Sequence, residues 1–105
     1  MAGVDVSLIL ACYNEGPTFE QSVGRIIAAC QKLKKRWEII FVEDKSRDET
    51  KKSIEKLLKK HRNFRAIFHR QNMGRGKSVS DGILKSRGNI CGYLDVDLEV
   101  SEDYI

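Results

Sequence analysis

The sequence predicts an α/β fold built on an open parallel sheet, and three observations lead there. Four short apolar runs alternate with segments whose apolar residues recur at helical spacing. The connections between them are short, and right-handed crossovers then make the strands parallel, with helices on one face of the sheet or both. Each acidic cluster follows directly on an apolar run: Asn14-Glu15 after 8–13, Glu43-Asp44 after 39–42, and Asp95-Val96-Asp97-Leu98-Glu99 after 90–94. In parallel strands all three clusters fall at carboxyl ends, the edge at which open α/β sheets bind ligands.

Each element has its own signal. A continuous apolar run over 6–13, with β-branched and aromatic residues, predicts a buried first strand. Pro17-Thr18 opens a helix, Thr18 and Gln21 have capping-box spacing, and Phe19, Val23, Ile26, Ile27, Cys30 and Leu33 form its apolar stripe. The second strand is expected over 37–42, and Ser46 and Glu49 form a second capping box before a helix carrying Ile54, Leu57, Leu58 and His61. The third strand is expected over 64–69, where Ala66 and Phe68 alternate with more polar neighbours. Gly74-Arg75-Gly76 reads as a turn, and a helix over 77–87 presents Val79, Ile83 and Leu84. Gly88 suits a left-handed cap, and 90–94 is the fourth strand. The order is βαβαβαβ, without repeats or linkers.

Bulk properties narrow the class. A chain of 105 residues with 41% hydrophobic and 32% charged residues is one small, soluble domain and not a disordered one. The net charge of +4 is mild, and the basic clusters at 32–36 and 51–65 lie on or beside helices. They read as solvated helix faces rather than a nucleic-acid surface, with attraction to an anionic substrate or an acidic membrane face as the remaining electrostatic reading. Cys12, Cys30 and Cys91 have neither disulfide-framework nor zinc spacing, which fits a reducing compartment. No run has the length of a membrane span, and the amino terminus lacks the pattern of a signal peptide.

The clusters carry the chemistry. Crowded carboxylates resist ionising unless a cation or hydrogen-bond donors hold them. Asp95, Asp97 and Glu99 alternate, so an extended strand puts them on one side; hard oxygen donors at that spacing suit Mg2+ or Mn2+, with positions left for phosphate oxygens and water. Asp44 is the choice for accepting a nucleobase N–H, and Glu15 can hydrogen-bond ribose or base. Ser46 and Asp48 read as helix caps. Gly76-Lys77-Ser78 copies the end of a P-loop, but that motif needs glycine at position 71, which is Gln71. Gly74 still permits a tight turn near phosphates, helix amides add an anion site, and Arg75 or Lys77 can add charge. His61 and His69 have no carboxylate or cysteine at useful spacing and read as surface or core-edge residues; Trp37 and Tyr93 read as packing residues.

Four stretches in register resemble the amino-terminal half of a family 2 glycosyltransferase of the GT-A type. They are 6–15 (VSLILACYNE), 37–50 (WEIIFVEDKSRDET), Asn72-x-Gly74-x-Gly76-Lys77, and 93–99 (YLDVDLE). The form Asp95-x-Asp97-Leu98-Glu99 is similar to synthases that glycosylate a dolichyl or polyprenyl phosphate. The resemblance implies a truncated, Rossmann-like GT-A sheet in which residues 1–105 are the nucleotide-sugar-binding portion. It implies a UDP- or GDP-sugar donor held by Tyr13, Glu15, Asp44, Gly74, Lys77 and Asp95, and Mg2+ or Mn2+ held by Asp97, with Asp95 and Glu99 in support. It further implies transfer with inversion to an acceptor, a lipid phosphate among the candidates, in the cytoplasm or at the cytoplasmic face of a membrane. The family's acceptor half and general base follow the Asp95–Glu99 segment, so the chain alone is expected to be inactive. The fourth strand is expected to keep an open apolar edge at Ile90, Cys91, Tyr93 and Leu94, a self-association hazard. Two departures stand out: Ala11 replaces the family's proline, and Lys45 replaces a glycine, which predicts an altered loop because a bulky residue disfavours positive φ. The competing readings are a sugar-phosphate nucleotidyltransferase, which wants a glycine-rich signature where Tyr13-Asn14-Glu15 stands, and a basic α/β module that binds nucleic acid.

Overall fold

A computed structural model describes residues 3–96. Its elements run β1 (Val6–Cys12), α1 (Phe19–Gln31), β2 (Trp37–Glu43), α2 (Thr50–Lys60), β3 (Phe64–Phe68), α3 (Arg75–Lys85) and β4 (Ile90–Asp95). The strands form one parallel sheet in the order β3-β2-β1-β4. The chain steps outward from β1 to β3 and then returns across the sheet to place β4 on the other side of β1. That reversal makes a switch point between β1 and β4, where strand ends diverge and leave a crevice.

Helices cover both faces, as strand alternation demands. Leu8, Leu10, Cys12, Ile39, Phe41 and Phe64 point to one face, where Phe19, Val23, Ile26 and Cys30 of α1 and Ile54 and Leu57 of α2 close the main core. Phe41 sits edge-on to Phe19 and Phe64, with centroids 6.3 and 5.5 Å away. Ile9, Ile40 and Val42 point to the other face, under α3, with Ile67 beside them. His61 stacks on Phe64 at 4.3 Å, a packing role.

Helix α3 corrects its expected stripe. Ser78 and Gly82 are the buried residues, whereas Ile83 and Leu84 are exposed. The physical reason is distance. A Cβ on Gly82 would come within 2.6 Å of the Ile9 side chain, so the helix lies too close to the sheet for anything larger at its contact. The two expected capping boxes are not formed. Neither Thr18 nor Glu49 makes a side-chain cap bond. Ser46 accepts the Asn14 N–H instead, while Asp48 accepts the Thr50 N–H and caps α2. Gly88 does not take positive φ; a Cβ there would lie 2.6 Å from the Ser7 nitrogen, so close approach to β1 is what requires glycine. Tyr93 is exposed rather than packed, with the Arg75 guanidinium 5.3 Å above its ring.

At the amino-terminal end of the strands lies a buried charge that the strand pattern concealed. Glu38 is 1% exposed. It accepts bonds from Ser7 Oγ (2.5 Å), Arg65 Nε (3.0 Å), Arg87 Nη2 (3.1 Å) and the Arg87 N–H (2.9 Å). Burial alone would push this carboxyl up; the Ser7 hydroxyl, the Arg65 guanidinium and the Arg87 amide outweigh it and hold the group at about 2. This cluster fastens β1, β2, β3 and the segment leading into β4 at the end of the sheet away from the crevice. Strand β4 is an edge among the described residues, with Ile90 and Tyr93 exposed. No helix among the described residues is long and apolar enough to cross a membrane.

Candidate functional site

Three loops meet at the carboxyl ends of the strands, and side chains stitch them together. Asn14 (φ 48°) and Gly16 (φ 82°) turn the chain sharply after β1. Ser46 Oγ, Thr50 Oγ1 and Asp48 Oδ2 accept the N–H groups of Asn14, Glu15 and Gly16 at 2.9–3.1 Å, and Asn14 Oδ1 accepts the Arg47 N–H in return at 2.7 Å. After β2, Lys45 takes φ 65°, so the loop keeps its left-handed turn despite the bulky residue. Buried Glu43 makes this possible by accepting the Lys45 and Ser46 N–H groups at 3.1 and 2.7 Å.

Asp44 is the hub. Its carboxylate accepts the Met73 N–H on Oδ1 (2.8 Å) and the Gly74 N–H on Oδ2 (2.9 Å), and its carbonyl accepts the Asn72 amide (3.2 Å). Gly74, at φ 91°, brings its amide to that carboxylate at the start of α3. His69 completes the hub: Nδ1 lies 2.7 Å from Asp44 Oδ1, and Nε2 lies 2.8 Å from Asp81 Oδ2. Burial would push the Asp44 carboxyl up, but His69 and the two amides hold it below the ordinary carboxylate range. Burial would likewise push His69 down, but the two carboxylates win and hold it above its usual value. His69 therefore is not the unpartnered residue that its spacing suggested. Its partners stand 25 and 12 positions away in sequence, beyond any local pattern.

Between these loops and the β1–β4 switch point lies a cleft of about 280 Å³, lined by Tyr13, Glu15, Asp44, Gly74, Arg75 and neighbouring residues. The structure thus gathers Tyr13, Glu15, Asp44 and Gly74 in one place. Lys77 does not line the cleft; it lies on α3 with its amine 3.0 Å from Asp81. Arg75 takes the position expected of a cation there. Cys12 also lines the cleft, where burial pushes its thiol well above the usual range. Asp95 pairs in register with Ala11, another lining residue, which sets the end of β4 at the rim. Asp97 and Glu99 lie outside the described residues. Among the described residues no three His, Cys, Asp or Glu side chains have the geometry to hold a metal. The donor set that suits one, three alternating carboxylates at 95–99, begins in the sequence at the last residue of β4.

Comparison with known proteins agrees with this architecture. Residues 7–105 match the model of Glycosyl transferase family 2. The chain is 30% identical over 96 residues to the undecaprenyl-phosphate 4-deoxy-4-formamido-L-arabinose transferase of Pectobacterium atrosepticum, covering 90% of this chain and 29% of that protein. It spans less than a third of the length of the curated relatives it matches. Among solved structures, the mannosyltransferase PcManGT of Pyrobaculum calidifontis, in complex with GDP-Man and Mn2+, superposes with a TM-score of 0.77 at 19% identity, covering 92% of this chain and 28% of that one. Residues 1–349 of S. aureus TarS superpose with a TM-score of 0.70 at 24% identity, covering 89% and 27%. Both likenesses show the GT-A-like fold.

Proposed function

The chain belongs to glycosyl transferase family 2, and from that premise we propose that residues 1–105 form the donor-binding portion of a metal-dependent, inverting glycosyltransferase. The observation that carries the proposal is the cleft at the β1–β4 switch point, with Asp44 fixed by three protein donors and Arg75 on its wall. A carboxylate offers about four acceptor positions, so three filled ones leave Asp44 a single position for the N–H of a nucleobase. Tyr13 and Glu15 flank the nucleoside. Arg75 supplies positive charge for the diphosphate, assisted by the amides at the start of α3 and by Lys77 two residues on.

Asp95, Asp97 and Glu99 would hold Mg2+ or Mn2+ where β4 ends. When bound, the ion supplies electrostatic stabilisation to the charge that builds on the leaving diphosphate. The relative whose name specifies undecaprenyl phosphate favours a polyprenyl phosphate as acceptor. Such an acceptor is already ionised and needs no base to attack the anomeric carbon. A lipid acceptor also places the reaction at a membrane surface, on the cytoplasmic side. In the isolated chain, which should not catalyse transfer, the exposed β4 edge is the surface through which copies would associate.

Calorimetric titration of UDP and GDP, with Mn2+ and with chelator, at two salt concentrations, tests the reading. Binding of one nucleotide that needs Mn2+ and is lost in Asp44→Asn supports it. Binding indifferent to chelator but steeply weakened by salt would instead favour the nucleic-acid module.

A further inference from the structure

We propose that His69 is a positioning residue for donor recognition: as an imidazolium clamped between Asp44 and Asp81, it fixes the Asp44 carboxylate and the 72–74 loop in the form that takes the nucleotide. The inference rests on the donor-binding reading of the cleft. Both ring nitrogens of His69 sit at hydrogen-bond distance from carboxylate oxygens, 2.7 Å to Asp44 and 2.8 Å to Asp81. An ionised carboxylate only accepts, so both nitrogens must carry a proton, and a ring with two N–H groups is the cation. The side chain is 9% exposed, so water cannot easily replace either partner.

The surroundings are consistent with that charge. Asp44 reaches the ring from the end of β2, and Asp81 from α3, where Lys77 offsets part of the Asp81 charge at 3.0 Å. Glu43, Lys45, Lys51 and Arg70 line the adjoining polar cavity. Glu43 spends its oxygens on the Lys45 and Ser46 amides. The two carboxylates in direct contact outweigh these more distant cations, in keeping with the upward direction of the His69 shift.

The function of this bridge follows from what it joins. Asp44 Oδ1 is shared by His69 and the Met73 N–H, while Oδ2 holds the Gly74 N–H. If the ring loses one proton, a nitrogen lone pair faces a carboxylate at under 3 Å. Asp44 or Asp81 must then swing away, and Asp44 can do so only by loosening the Met73 and Gly74 amides that shape the cleft wall. The charged ring is retained below its raised pKa and lost as pH rises through it. Nucleotide affinity should therefore be flat at low pH and fall on the alkaline side.

Two measurements on the 105-residue chain test this. The first is 15N NMR of the His69 ring, which needs no ligand. It should show both nitrogens protonated at neutral pH, and Asp44→Asn should lower the pH at which the ring titrates. A neutral single tautomer at neutral pH overturns the inference whatever the cleft binds. The second is titration of UDP-GlcNAc and GDP-Man with Mn2+ over a pH range that spans the ring titration found by NMR. Wild-type affinity for the preferred donor should fall about tenfold across that range. His69→Gln, which carries no charge and donates from a single nitrogen, should bind weakly at both ends with no pH slope. A slope unchanged in His69→Gln overturns the positioning role. If neither donor binds at any pH, the donor-binding reading fails and recognition by His69 fails with it, even where the ring is doubly protonated.

Discussion

Glu38→Gln should cost this domain about 3 kcal/mol at neutral pH. A carboxyl that ionises at about 2 in the fold and at 4.5 in an open chain stabilises the fold by about 3 kcal/mol when both states are ionised. Glutamine keeps the shape and can still accept from the Ser7 hydroxyl, but it cannot pair with two guanidinium groups. Arg65 and Arg87 are partly exposed, so each can turn to water, which keeps the cost below that of leaving a fully buried charge unpaired. The sign is set by a depressed folded pKa. The contribution is whole above 4.5 and drains away as pH falls toward 2. Urea denaturation followed by circular dichroism at several pH values checks this. The difference between wild type and Glu38→Gln should be about 3 kcal/mol near pH 7 and less than half of that by about pH 3. Other carboxylates titrate in both proteins, so the difference isolates Glu38. A difference below about 0.5 kcal/mol at neutral pH, or one that does not change with pH, would refute the electrostatic account of this cluster.

Two further substitutions test the backbone geometry. Lys45→Gly should stabilise the chain by about 0.5–1 kcal/mol, because glycine bears none of the left-handed strain that lysine pays at φ 65°, less its extra chain entropy; an unchanged urea midpoint would show the turn to be unstrained. Gly88→Ala should destabilise by at least about 2 kcal/mol, since its methyl meets the Ser7 backbone at 2.6 Å and disturbs the Gly88 N–H bond to Ser7 Oγ. A melting temperature equal to that of the wild type would contradict the close approach of this segment to β1.

The parts of this structure that were legible in sequence are those governed by local periodicity. Strands β1 and β2 are runs of apolar residues bounded by polar turns, and α1 and α2 carry regular stripes, so their existence and faces could be read directly. The parallel pairing and the placing of Glu15 and Asp44 at one edge of the sheet followed from chain connectivity, whereas Tyr13 and Gly74 were reached through the family resemblance. Helix α3 misled because its contact with the sheet is set by size rather than hydropathy: Ser78 and Gly82, four apart, were the available signal for a close-packed face. His69 and Glu38 were illegible for another reason. Each takes its meaning from partners that only the tertiary fold supplies, Asp81 on α3 for one and Arg65 and Arg87 for the other. Lys45 shows a local preference overruled, since Glu43 holds the turn that lysine alone would avoid.

The position of Mn2+ when a nucleotide is bound tests the donor site. Paramagnetic broadening of amide signals by substoichiometric Mn2+, recorded with and without UDP or GDP, maps that position. The expected result is nucleotide-dependent broadening at Tyr13, Asp44, Gly74 and Arg75, with the Glu38, Arg65 and Arg87 end of the sheet unaffected. Broadening centred on that opposite end, or a pattern the same with and without nucleotide, would contradict a donor site at the β1–β4 switch point.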